Sequence, residues 1–247
     1  MDFIKLNFIK LNFIKLNFIK TPSRFVARCF IVTALSAALL GSCLLSSCTA
    51  AKPQLTLGSL KDGIYDNAYF GFMMDIPPDW HVATREEIDQ INQVGDDPTI
   101  SSASSLLDSP APEDLAKQKL LSMLYVFKND FNAVQAGDTN AGLQVVAENL
   151  SVAGNTETTE ADYLSSIERQ IKNVGYVSEP LSSRNFGKAQ FTELRASGTQ
   201  NNLDMEFYCK KIGDYILTVI TTCPQADGDA KAALEQSVGS ISLTNTK

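Results

Sequence analysis

Apolar residues recur at Leu164, Ile167, Ile171 and Val174, at spacings of three, four and three, behind Thr159 and ahead of Gly175. One apolar stripe with a capping residue before it and a glycine after it predicts a helix. A second helix is expected after Thr84. There Thr84 and Glu87 form the T-x-x-E of a capping box, Ile88, Ile91 and Val94 form the buried stripe, and Gly95 is the stop. A third runs from about Asp229, read as its cap, with Ala230, Leu234 and Val238 on one side.

Elsewhere the pattern shortens to that of strands. "GIYDN" and "YFGFMMDIP" flank Asn67-Ala68 as a hairpin, the second arm stopped by Pro77-Pro78, because proline cannot donate to a ladder. "LLSMLYVF" (120–127) and "GLQVVAENL" (142–150) read as buried strands joined by a polar loop, 128–141. From residue 176 onward Gly187, Gly198 and Gly213 punctuate a meander. In "DYILTVITTC" both parities are apolar, which makes that strand central and covered on both faces. Residues 96–112, rich in Ser, Asp and Pro, read as an irregular excursion. The whole predicts an α+β fold over 63–247, an antiparallel β-sheet flanked by α-helices in a single domain.

The N-terminal part has a different organisation. "FIKLN" repeats from Phe3 to Asn17. A five-residue period makes neither a helical stripe nor a strand alternation, so the repeat is set aside from the fold. Arg24 and Arg28 then precede an apolar stretch from Phe30 to Leu40, long enough for a signal-peptide core and short for a membrane span. Leu45-Ser46-Ser47-Cys48 resembles a bacterial lipobox, as does Leu40-Gly41-Ser42-Cys43. The resemblance implies cleavage before the cysteine and acylation of its sulfur. Cys48, followed by the small Thr49, is preferred over Cys43, which precedes Leu44. Residues 1–47 are thus expected to be a signal peptide extended by the repeat, and 48–62 a lipidated tether, with the domain lipid-anchored in the cell membrane and facing the extracytoplasmic side. A membrane helix ending near Leu45 is the alternative.

Charge supports that division. Residues 1–47 hold six of the 21 cations and one of the 28 acids, so the remainder carries 15 cations against 27 acids, a formal net charge of −12. A globule of that sign has no general attraction for nucleic acid, and none is expected as a partner. The only basic run after the leader is Lys210-Lys211.

The stretch "YDNAYFGFMMDIPPDW", followed far downstream by "GDYILTVITT" and "SVGSISL", resembles the PsbP-like family, over roughly residues 63–243. That family includes photosystem II accessory subunits, a Ran-binding import factor and many bacterial lipoproteins. The resemblance implies an accessory or binding role without catalysis. Its motifs are packing motifs, so it carries over a fold and no site residues.

Candidate chemistry is sparse. His81 is the only histidine, which excludes multi-histidine zinc motifs and leaves one base for any hydrolase. No nucleophile motif such as G-x-S-x-G accompanies it, and a solvent-facing ring is expected beside Trp80, a core plug. No cofactor or metal is expected. Cys209 and Cys223 are expected to stay free. With the turn at Gly213-Asp214, Cys209 faces Thr218 and Cys223 faces Asp204, about 17 Å apart along the strands, where a disulfide needs about 7 Å or less. The leading expectation is a membrane-anchored binding domain with a protein or envelope partner, its surface sought in loops 96–112 and 128–141 with Tyr65, Tyr69 and Phe131 as aromatic candidates. The alternative is an envelope hydrolase using surface carboxylates or His81.

Overall fold

The structure, a computed structural model, describes residues 53–93, 111–130, 133 and 139–244. The repeat, Cys43, Cys48, Val94, Gly95, most of the 96–112 excursion and Phe131 lie outside the described residues.

Among the described residues, twelve strands and five helices follow in the order β1 (Ser59–Lys61), β2 (Ile64–Asn67), β3 (Phe72–Asp75), β4 (His81–Val82), α1 (Arg85–Gln93), α2 (Pro112–Leu115), β5 (Leu120–Phe127), β6 (Gly142–Asn149), α3 (Leu150–Ala153), α4 (Glu160–Lys172), β7 (Tyr176–Ser178), β8 (Ser182–Phe186), β9 (Ala189–Gly198), β10 (Leu203–Ile212), β11 (Tyr215–Pro224), α5 (Gly228–Gly239) and β12 (Ser242–Leu243). The fold is α+β and every strand pair is antiparallel. The strands divide between two sheets rather than forming the one expected. A small sheet has the order β1-β2-β3-β12, and a large one runs β4-β5-β6-β11-β10-β9-β7 with β8 also on β9.

The domain starts earlier than residue 63. Leu55 is already a core residue, and Asp62 and Gly63, at φ 52° and 77°, make the two-residue turn that joins β1 to β2. Asp-Gly is a favoured pair for a turn with two left-handed residues, so the stretch read as tether holds a strand. The β10–β11 hairpin has the expected register, Ile212 with Tyr215, Cys209 with Thr218 and Asp204 with Cys223. Strand β11 is central and buried on both faces.

The main core lies between the sheets. Tyr65, Phe72 and Met74 from the small sheet, with Phe70 from its β2–β3 turn, meet Leu121, Leu124, Val145 and Val219 from the large one, and Leu234 and Val238 of α5 close the cluster. Helix α4 covers the other face across β7, β9 and β10, burying Leu164, Ile167 and Ile171. Val174, expected on that stripe, lies past the end of the helix and is exposed. The cap of α5 is Asp227, whose side chain accepts from the Ala230 amide, rather than Asp229. Among the described residues no helix is long and apolar enough to cross a membrane.

Candidate functional site

Strand β5 contains a bulge. Ser122 pairs with Val146 and Leu124 with Val145, leaving Met123 as the extra residue. The bulge resets the alternation, so Met123 and Leu124 both enter the main core, while Tyr125 and Phe127 turn to a smaller cluster with Ile88 and Ile91 of α1. The ladder is disrupted at the bulge, and the carbonyls there take a side-chain donor instead. Arg85 supplies it from the first residue of α1, donating to Ser122 O at 2.7 and 2.8 Å and to Met123 O at 3.3 Å. Burial pulls the Arg85 guanidinium down from its ordinary pKa. Asn92, two turns further along the same face, donates to the Ser122 hydroxyl at 3.2 Å and accepts from Tyr125 at 3.2 Å. Helix α1 is therefore bolted to β5 by polar contacts at both ends of its buried face.

That docking sets one corner of the molecule. β4 pairs with the end of β5, His81 opposite Phe127, and the chain leaving β5 carries Asp130 past the same point. α1 starts three residues after β4, and its capping box folds Glu87 back. The Thr84 amide donates to Glu87 Oε2 at 2.8 Å, and the Glu87 amide donates to the Thr84 hydroxyl at 3.2 Å. The same carboxylate oxygen lies 3.0 Å from His81 Nε2, whose N–H donates to it. One ligand-capable atom from each of His81, Glu87 and Asp130 falls within 4.8 Å of the other two. The His81 side chain is 28% exposed and that of Glu87 15%, so the ring is half-buried rather than solvent-facing. Burial works against the Glu87 charge, but the Thr84 amide and the His81 ring outweigh it and hold the carboxyl below its usual range.

The two described aromatic candidates, Tyr65 and Tyr69, do not form a surface. Tyr65 is a core residue, 2% exposed, its hydroxyl donating to Leu57 O at 2.6 Å. The β2 alternation puts it on the inner face with Asn67, which corrects the expectation that it is exposed. Tyr69 is half-buried, edge-on to Phe70 and Tyr215 at 5.0 and 5.9 Å. Trp80 sits partly buried at the rim of the main core rather than plugging its centre. Cys209 and Cys223 are free thiols, both buried, and burial pushes Cys209 up to about 12.

Two polar clusters were not legible in the sequence. Under α4, Glu148 of β6 is 6% exposed, with Lys119 Nζ at 3.7 Å and a hydrogen bond to the Tyr163 hydroxyl. Tyr163 is also hydrogen-bonded to Thr218, which touches Cys209 Sγ at 3.2 Å. Burial raises the Glu148 carboxyl above its ordinary pKa, against the pull of Lys119. At the other end of the large sheet, Arg184 donates to the Tyr208 hydroxyl at 3.0 Å and to Glu235 at 2.8 Å, and Arg195 lies 3.0 Å from Glu193 and 3.5 Å from Glu206. These charges neutralise one another within the fold. The His81 corner gathers an imidazole and two carboxylates from three separate segments, and among the described residues it is the candidate site.

No protein-family model and no curated protein matches the chain. Among solved structures, it is similar to cyanobacterial PsbP (CyanoP) from Synechocystis sp. PCC 6803, at 11% identity and a TM-score of 0.42, covering 83% of this chain and 98% of that one. It is similar to LpqN of Mycobacterium tuberculosis, at 10% identity and a TM-score of 0.40, covering 70% and 83%. It is also similar to the Ran-binding protein Mog1p of Saccharomyces cerevisiae, at 8% identity and a TM-score of 0.38, covering 76% and 98%. Likenesses this distant carry nothing about function, and the α+β fold stands on the strand pairing itself.

Proposed function

We propose that the chain is a lipid-anchored protein whose domain, on the extracytoplasmic side of the cell membrane, works by binding a protein or envelope partner. The observation that carries this reading is Leu45-Ser46-Ser47-Cys48 behind a cationic flank and an apolar run, followed seven residues later by Leu55, the first core residue among those described. Seven residues reach at most about 25 Å, so acylation at Cys48 holds the domain close to the bilayer surface. Two acyl chains give durable anchoring, which an acidic globule does not obtain from headgroup attraction. Mass spectrometry of the protein from membranes tests this. A chain beginning at an acylated Cys48 is expected, and a full-length chain with a bare sulfur recovered from cytosol overturns it. Capture from native membranes then identifies the partner.

A second reading, an envelope hydrolase, is favoured by the His81–Glu87 pair, because a carboxylate that orients an imidazole is half of a base arrangement. Hydrolysis of an envelope polymer that is lost in His81→Gln would put this reading first.

A further inference from the structure

We infer that His81, Glu87 and Asp130 form a binding site for a single divalent cation of the zinc class. The inference rests on geometry alone and is independent of membrane anchoring. Atoms bound to one tetrahedral zinc at about 2.0–2.2 Å lie about 3.3 Å from one another. His81 Nε2 and Glu87 Oε2 are 3.0 Å apart, close to that spacing, while the Asp130 carboxylate is exposed at the start of a loop and lies within 4.8 Å of both. Closing the set takes a movement of at most about 1.5 Å by one short side chain, with water in the fourth position.

The supporting contacts suit this use. Glu87 is oriented by the Thr84 amide at 2.8 Å, and His81 is fixed by its place in the β4–β5 ladder. Metal ligands are commonly held by such outer contacts. In the metal-bound form the His81 Nε2 lone pair faces the ion and the proton moves to Nδ1, so the cation replaces the His81–Glu87 hydrogen bond. The imidazole also sets the selectivity. The positive end of α1 opposes any cation here, and a site with one nitrogen and two oxygen donors favours zinc over the oxygen-seeking Mg2+ and Ca2+.

The test is titration of the full chain in detergent micelles with Zn2+, Mg2+ and Ca2+, read by calorimetry and by the ring resonance of the single histidine. One Zn2+ is expected to bind and to shift that resonance, with Mg2+ and Ca2+ doing neither. His81→Ala and Asp130→Asn should each weaken Zn2+ by about tenfold or more. Glu87→Gln should do the same while keeping the helix cap, since Gln serves a capping box as Glu does. An unmoved histidine resonance overturns the site, as does Zn2+ affinity unchanged in His81→Ala, which would place the ion elsewhere on the chain. Loss in His81→Ala without loss in Asp130→Asn overturns the three-ligand arrangement. Circular dichroism of each variant separates ligand loss from unfolding.

Discussion

Helices α1 and α4 begin with the same device and end up serving different purposes. In α4 the Thr159 hydroxyl accepts from the Asp162 amide at 3.2 Å, and the Asp162 carboxylate accepts from the Thr159 amide at 3.2 Å and its hydroxyl at 2.6 Å. Those bonds, the hydroxyl's first, hold the exposed Asp162 carboxyl below its usual range, and they satisfy the helix end. In α1 the equivalent carboxylate belongs to a glutamate, one methylene longer, and it reaches His81 as well. What differs is the approach. β4 delivers an imidazole four residues before α1, whereas α4 is preceded by the turn after α3. A capping carboxylate is a fixed anion, and whether it becomes part of a site depends on what the neighbouring strand carries.

The largest effects should come from the apolar faces beneath the two caps. Ile167→Ala opens a cavity against β9 and β10, central strands that cannot close in, and should cost about 3–5 kcal/mol by urea denaturation. Ile88→Ala empties a smaller cluster at the end of the sheet, where α1 can settle inward, and should cost about 2–3 kcal/mol. Equal losses would mean that α1 is held as firmly as α4. Zn2+ sharpens the contrast. At one hundred times its dissociation constant it should stabilise the protein by about 2.7 kcal/mol, as seen in the denaturation midpoint, and the gain should vanish in His81→Ala but persist in Thr159→Ala.

Both caps could be read from the chain because T-x-x-E and the Thr159 stripe are local patterns, as is the Gly213-Asp214 turn that fixes β10 against β11. The β1–β2 hairpin was equally local. Asp62-Gly63 announces it, but the polar residues around the pair resemble a tether. Of the small sheet, the β2–β3 hairpin was legible, but its closing strand β12 was beyond reach for a different reason. It needs Ser242 beside Met73, a pairing of two-residue length across most of the chain, which leaves no periodicity. Of the site, Glu87 is set by its capping pattern with Thr84, while His81 and Asp130 come to it only through the pairing of β4 with the far end of β5. Glu148 was hidden because its partners Lys119 and Tyr163 come from outside β6, and nothing local to the strand announces them.

Glu148 therefore tests the α4 side of the comparison. Burial raises its pKa in the folded state, so the folded protein binds that proton more tightly than the unfolded chain does. Its contribution is most favourable below the ordinary glutamate value of 4.5 and is lost as pH rises through the raised value. Glu148→Gln removes this dependence while leaving Tyr163 an acceptor. Urea midpoints should show the variant gaining on the wild type as pH is raised from 4 to 7, on the order of the carboxylate range. A gap independent of pH would mean that Lys119 already compensates the charge.

The smallest effect separates the two caps directly. Thr84→Ala and Thr159→Ala each remove one hydroxyl that accepts from an N3 amide, and each should cost about 1 kcal/mol in denaturant. Their stabilities should be nearly indistinguishable. Their ion binding should not be, because the lost Thr84 hydroxyl frees the first turn of α1 and with it the direction of Glu87, whereas Asp162 has no second task. Calorimetry should show Zn2+ binding several-fold weaker in Thr84→Ala, on the order of an outer-contact loss, and unchanged in Thr159→Ala. If both variants bind Zn2+ like the wild type, the Thr84 amide alone orients Glu87, and the cap and the site share a residue without sharing an energy.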